Sequence, residues 1–124
     1  MDGDATARII VDSAVKVHSA LGPGLLETAY EACLRYELGK RNVRARSQVP
    51  MSLRYGDVDV EVGYRVDLLV DERVVVEVKS CQGLLPIHTA QLLTYLRLGQ
   101  FRLGLLLNFN VSHMKDGIRR VING

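Results

Sequence analysis

The sequence predicts an α/β fold in the order ααβββαβ, with helices covering a central sheet, and three observations carry that expectation. Two helix-periodic segments lie before Arg41, β-type alternation takes over near Val49, and Val74-Val75-Val76 is apolar at consecutive positions, as a strand covered on both faces must be. With 124 residues, 48% of them hydrophobic, the chain can build one real core but not two. Residues 1–124 are therefore expected to form a single domain.

From about Asp4 to Leu21, Ala7, Ile10, Ala14, Val17 and Leu21 recur at three- and four-residue spacing, the buried stripe of a first helix that Gly22-Pro23-Gly24 ends. A second helix runs from about Leu25 to Lys40. It carries Leu26, Ala29, Cys33 and Glu37 on one row and Glu27, Tyr30, Leu34 and Leu38 on another, so burial over a wide arc is expected. Val49, Met51 and Leu53 then alternate with Pro50, Ser52 and Arg54. Tyr55-Gly56-Asp57 supplies a turn, after which Val58, Val60 and Val62 resume the alternation. Tyr64 to Val70 and Val74 to Lys79 are further strands, joined across Asp71-Glu72-Arg73. Beyond a loop holding Gly83 and Pro86, Ile87 to Gly99 reads as a third helix, and Arg102 to Asn108 as another buried strand. The tail from His113 to Ile122 admits two readings. Met114, Ile118 and Val121 have helical spacing, whereas Gly117 opposes a helix and favours a short edge strand.

Composition narrows the function classes. Sixteen basic residues against fourteen acidic ones make no bulk positive field, so any nucleic-acid contact must come from a local patch. Arg41, Arg44, Arg46, Arg54, Arg97, Arg102, Lys115, Arg119 and Arg120 are candidates for phosphate contacts, although a solvated surface accounts for most of them equally well. Cys33 and Cys81 lie far apart and outside any CxxC or histidine cluster, which argues against zinc and for reduced thiols in the cytoplasm. The acidic start and the lack of a long apolar stretch argue against a leader or a membrane span. His18, His88 and His113 share no ligand spacing; His88 is the best placed of the three for a direct role.

The chemistry concentrates on one strand. Glu77 and Lys79 are two residues apart, so both side chains leave one face while Val76 and Val78 leave the other. Alone, such a triplet is ordinarily a solvated ion pair. The hairpin changes the reading: if Asp71-Glu72-Arg73 is a three-residue loop, Val70 pairs with Val74 and Asp67 falls opposite Glu77, with Val66 entering the far core beside Val76 and Val78. Cross-strand partners hold their Cβ atoms about 4.5–5.5 Å apart, where like charges repel unless a cation lies between them. Carboxylates from Asp67 and Glu77, with a main-chain carbonyl at Val78, suit Mg²⁺ or Mn²⁺. Lys79 beside the ion can hold an attacking water or offset phosphate charge; its bland alternative is to neutralise the two acids. A two-residue loop would turn Asp67 to the other face and remove the site. Glu27, in the first turn of the second helix, can serve the site or simply the helix dipole. Gln91 and Tyr95 are one turn apart on the third helix, with His88 near that face.

The stretch Gly24-Leu25-Leu26-Glu27-Thr28-Ala29-Tyr30 resembles the motif that names the GxxExxY protein family, within the PD-(D/E)XK nuclease superfamily. The resemblance extends through Tyr64–Val70, Val76-Glu77-Val78-Lys79 and Ala90–Leu96, and Val66 stands where the superfamily's name has proline. It implies a restriction-endonuclease-like core with a mixed central sheet. It also implies metal ligation by Asp67 and Glu77, a catalytic Lys79, a helix carboxylate at Glu27 that joins the metal ligands, and a Gln91-x-x-x-Tyr95 pair of the RecB-like kind. Glu27 and Gln91 are then expected to approach the acids from helices packed over the same face.

The leading expectation is therefore a Mg²⁺- or Mn²⁺-dependent phosphodiesterase acting on nucleic acid, with DNA the expected partner. The rival is a non-catalytic nucleic-acid-binding or protein-interaction module on the same scaffold, since a fold does not fix an activity. A subunit needing a partner protein is a third class, and a symmetric homodimer would double the site and widen the binding surface.

Overall fold

A computed structural model describes Met1–Gly124 apart from the side chain of Val62. The elements are α1 (Gly3–Leu21), α2 (Glu27–Lys40), β1 (Ala45–Tyr55), β2 (Val58–Val70), β3 (Val74–Lys79), α3 (Pro86–Gly99), β4 (Leu103–Asn108), a 3₁₀ turn (Met114–Gly117) and β5 (Ile118–Ile122). The five strands form one sheet in the order β1-β2-β3-β4-β5. β3 and β4 run parallel, joined by the α3 crossover, and the other neighbours are antiparallel. The tail is thus an edge strand, preceded by a 3₁₀ turn. Gly117 is needed for space, because a Cβ there would stand 1.9 Å from the Asn108 carbonyl oxygen.

One face of the sheet takes α1 and α2. Ala7, Ile10, Ala14 and Val17 of α1 and Tyr30, Leu34 and Leu38 of α2 pack on Leu68, Val70, Val74, Val76 and Val78. Asp2 caps α1 by accepting from the Ala5 N–H at 2.8 Å, and Gly22 at φ +69° ends it. Only one row of α2 is deeply apolar and buried. On the other row Leu26 is 78% exposed, while Cys33 packs against the core and Glu37 is buried, so the expected wide arc of burial holds beyond the first turn. Tyr30 ties the two helices together: its ring stacks on Phe109 at 4.5 Å, and its hydroxyl donates to the Gly22 carbonyl while accepting from the Leu25 N–H.

The other face takes α3, whose Leu92 and Leu96 pack on Leu69, Val75, Leu106 and Val121 together with Val49, Tyr64 and Val66. The membership of Val66 corrects the expectation that it would share a core with Val76 and Val78. The cause is a paired irregularity in β1 and β2. Ser47 is opposite Leu68 and Val49 opposite Val66, and between them Gln48 adopts φ +52°. Before this point Ala45 faces α1 and α2; after it Val49 and Met51 face α3. β2 makes the same exchange between Leu68 and Val66. Alternation holds only along an unbroken strand, and the left-handed residue breaks it.

Candidate active site

The Asp71-Glu72-Arg73 turn has φ of +55° and +53° at its first two residues, and Val70 pairs with Val74 across it. The pairing continues through Leu69–Val75 to Leu68–Val76, and the next step places Asp67 beside Glu77. There the ladder between β2 and β3 ends, while β3 stays paired with β4 as far as Lys79 opposite Asn108. The two acids occupy the gap. The Asp67 N–H donates to Glu77 Oε2 at 3.1 Å, and the Val78 N–H donates to Asp67 Oδ2 at 2.8 Å. Each carboxylate accepts a main-chain donor, which holds it with few rotameric alternatives.

Glu77 is only 7% exposed. Burial, then the neighbouring Asp67 charge and the bond to its side chain, push the Glu77 carboxyl up to about 8, against the opposing pull of the Asp67 N–H and the Lys79 ammonium. Two acids in one shielded gap thus favour holding a proton on Glu77 when no cation is present. A divalent ion relieves the same repulsion, so the donor set fits Mg²⁺ or Mn²⁺: two carboxylates, water, and the Val78 carbonyl, which leaves the same strand edge as the Val78 N–H. Among the described residues no three His, Cys, Asp or Glu side chains cluster as a metal cage. Two carboxylates, with the remaining positions left to water and main chain, are donors that a hard divalent cation can use.

The third helix comes over this face. Burial and then the Glu77 charge raise the Tyr95 phenol, against a lowering from Gln91 one turn earlier, so Tyr95 lies within electrostatic reach of the acids. Tyr95 is fixed from behind by Tyr64, which stacks on it at 4.4 Å and donates its hydroxyl to the Tyr95 carbonyl at 3.0 Å. His88 is used at the helix start, where its Nδ1 accepts from the Leu85 N–H. His18 Nε2 lies 2.7 Å from the Val111 carbonyl oxygen, a bond that anchors the segment after β4.

Glu27 departs from expectation. α2 lies on the opposite face of the sheet from Glu77, Lys79 and α3, so Glu27 and Gln91 do not approach over one face. Glu27 is exposed at the start of α2, whose entry is tied to the end of β3 by the Ser80 hydroxyl donating to the Leu25 carbonyl at 2.6 Å. Glu27 does not share the burial of Tyr30, Leu34 and Leu38 on its row, and those three set the side of the sheet that receives α2. One turn further on, Glu31 is the α2 acid bonded toward the site. It accepts from Ser47 Oγ at 2.5 Å and Gln48 Nε2 at 3.0 Å, and Gln48 Nε2 also donates to Asp67 Oδ1 at 3.2 Å.

Asn108, 2% exposed beside Lys79, is a second residue that the periodicity passed over. Its Oδ1 accepts from the Cys81 and Asn110 N–H groups and its Nδ2 donates to the Cys81 carbonyl, which fixes the loop leaving Lys79. A polar residue closing the apolar run Leu105-Leu106-Leu107 was the available signal. Several of the basic candidates are already paired: Arg46 grips Glu72 at 2.7 Å through both oxygens, Arg54 meets Asp59, Arg41 meets Glu37, and Arg120 meets Asp4.

Two acids thus meet at the end of a broken ladder, with a lysine two residues on and Gln91 and Tyr95 on the helix packed over that face. A family model for the PD-(D/E)XK nuclease superfamily matches residues 4–121, and the chain belongs to that superfamily. No curated protein and no solved structure matches the chain. Its α/β architecture, a mixed sheet between helices, is that of a restriction-endonuclease-like fold. No helix of the described residues is long and apolar enough to cross a membrane.

Proposed function

We propose that the protein is a Mg²⁺- or Mn²⁺-dependent nuclease hydrolysing phosphodiester bonds, with DNA as substrate. The observation that carries the reading is the Asp67–Glu77 pair filling the gap where β2 leaves β3, two residues from Lys79. A bound divalent ion supplies Lewis acidity toward the phosphoryl group and charge neutralisation. Asp67 and Glu77 hold it, with the Val78 carbonyl as a third donor. Lys79 offsets the charge that builds on phosphorus-bound oxygens and orients the attacking water. Tyr95, half-buried on α3 and held by Tyr64, lies near enough to Glu77 to feel its charge and lines this side of the site. Glu27, at the exposed start of α2, serves the outer rim rather than the face under α3. The Gly24–Tyr30 motif supports placement in the GxxExxY branch, whereas the RecB-like arrangement, which needs α2 and α3 packed over one face, is not supported by α2 on the far side of the sheet. Free Cys33 and Cys81 fit a reducing cytoplasm.

The test is cleavage of labelled single-stranded, duplex and branched DNA and RNA in Mg²⁺, Mn²⁺ or chelator, with Glu77→Gln as control. Metal-dependent cleavage of DNA that disappears in the variant is expected. A parent with neither metal binding nor cleavage across the panel would favour the scaffold reading.

A further inference from the structure

We infer that Gln48 is a positioning residue for Asp67, with Glu31 as its anchor; the metal and activity arms of this inference rest on the nuclease reading, and its metal-free arm does not. Gln48 lies between the Ser47–Leu68 and Val49–Val66 pairs, where β1 and β2 exchange faces, and its φ of +52° is unusual for a residue with a Cβ. A left-handed backbone strains a residue with a Cβ, and such strain gathers where a geometry is needed for something other than stability. The side chain shows what the geometry provides. Nε2 carries two hydrogens, one directed at Asp67 Oδ1 at 3.2 Å and the other at Glu31 Oε1 at 3.0 Å. Two carboxylate acceptors set the amide's orientation, because the carbonyl end would be repelled by both.

Asp67 then has both oxygens held, Oδ2 by the Val78 N–H and Oδ1 by Gln48, so the plane of its carboxylate is defined before any ligand arrives. Each oxygen keeps a lone pair for a cation. Glu31 is held in turn by Ser47 Oγ, the residue before Gln48, which closes a short ring from α2 through β1. A helix on the far side of the sheet is thereby connected to the acid pair.

Gln48→Gly separates positioning from folding, since glycine takes φ +52° without a Cβ penalty while the donor is lost. In chelator, its melting temperature should equal or exceed the parent's, while hydrogen exchange at the Val78 amide should quicken about tenfold with the Val76 amide unchanged. With the parent's metal-dependent cleavage as reference, Mn²⁺ affinity by calorimetry should fall about tenfold, as for other residues that orient a ligand, and kcat should drop with KM nearly constant. Glu31→Gln keeps an acceptor for Gln48 and should show a smaller change in the same direction; Glu31→Ala should approach Gln48→Gly, and the double variant should be no worse than either alone. Unchanged Val78 exchange in Gln48→Gly would overturn the inference. Faster Val78 exchange in a protein whose parent neither binds Mn²⁺ nor cleaves would uphold the positioning role and remove the nuclease reading instead.

Discussion

The two halves of β3 have opposite surroundings. Val74, Val75 and Val76 are paired on both edges, to β2 and to β4, and are fully buried between α1 and α2 on one face and α3 on the other. Glu77, Val78 and Lys79 keep only β4, and the edge that β2 abandons is filled by carboxylates. The first half contributes stability, while the second exchanges a ladder for a site. A main-chain pair satisfies its own donors and leaves nothing for a ligand, so an open position in the ladder is what lets acid side chains face each other with lone pairs to spare.

The contrast breaks most visibly at Glu77. Glu77→Gln should lower cleavage by several orders of magnitude and abolish the metal-induced rise in melting temperature, which for the parent corresponds to about 2.7 kcal/mol at a hundred times the dissociation constant. A Glu77→Gln protein that retains both would place the ligands elsewhere. Lys79→Ala should likewise stop cleavage but keep metal binding. It should also lower apo stability, because two acids then face each other without a cation.

A second test moves to the buried half. Leu68→Ala, at the last ladder pair before the gap, should cost about 2–5 kcal/mol in denaturant unfolding. The protein that remains folded should bind Mn²⁺ with affinity within a few fold of the parent. A loss of affinity out of proportion would mean that the two halves are not separable.

The pH dependence of the metal-free protein sharpens the same contrast. Glu77 is an acid whose folded carboxyl is raised to about 8 from an unfolded value near 4.5. The folded state therefore binds the extra proton between those values. The resulting stability is fully present below about pH 4.5 and is lost as pH rises through about 8, a change on the order of a few kcal/mol. Urea unfolding in chelator should show that decline for the parent and a flatter profile for Glu77→Gln, which should also be the more stable of the two at pH 8. Saturating Mg²⁺ should flatten the parent as well. A parent profile already flat in chelator would show that Glu77 stays ionised in the apo site.

The smallest effect is expected at Tyr95→Phe. It keeps the stack on Tyr64 and removes only the phenol that Gln91 contacts, so stability should shift by no more than about 1 kcal/mol. Cleavage should fall a few fold; a loss as large as that of Glu77→Gln would make Tyr95 a participant in the chemistry rather than a support.

Much of this was legible from local pattern. Period and punctuation located α1, α3, β3 and β4 to within a few residues, whereas the two strands expected at Val58 to Val62 and Tyr64 to Val70 are one, β2; a three-residue turn between Val70 and Val74 was the condition that set Asp67 against Glu77. These are properties of neighbours in the chain: helical rows, strand alternation and turn length each reach only a few residues. Gln91 and Tyr95 followed from one helical turn, and the tail remained open because Gly117 answers to the Asn108 carbonyl, a contact no nearby residue announces.

The tertiary structure decided what depends on which layer an element joins. The sequence by itself determined that Glu77 and Lys79 share a face, and it put Asp67 across from them only on the condition of a three-residue turn, which the Val70–Val74 pairing supplies. It could not say that α2 would lie on the other side of the sheet, because helix periodicity defines an apolar stripe without naming the surface that receives it. Nor could alternation predict its own interruption at Gln48. A glutamine in a run of β-formers reads as one more outward residue until φ +52°, Glu31 and Asp67 are seen together, and those three come from a strand, a helix and another strand that only packing brings into contact.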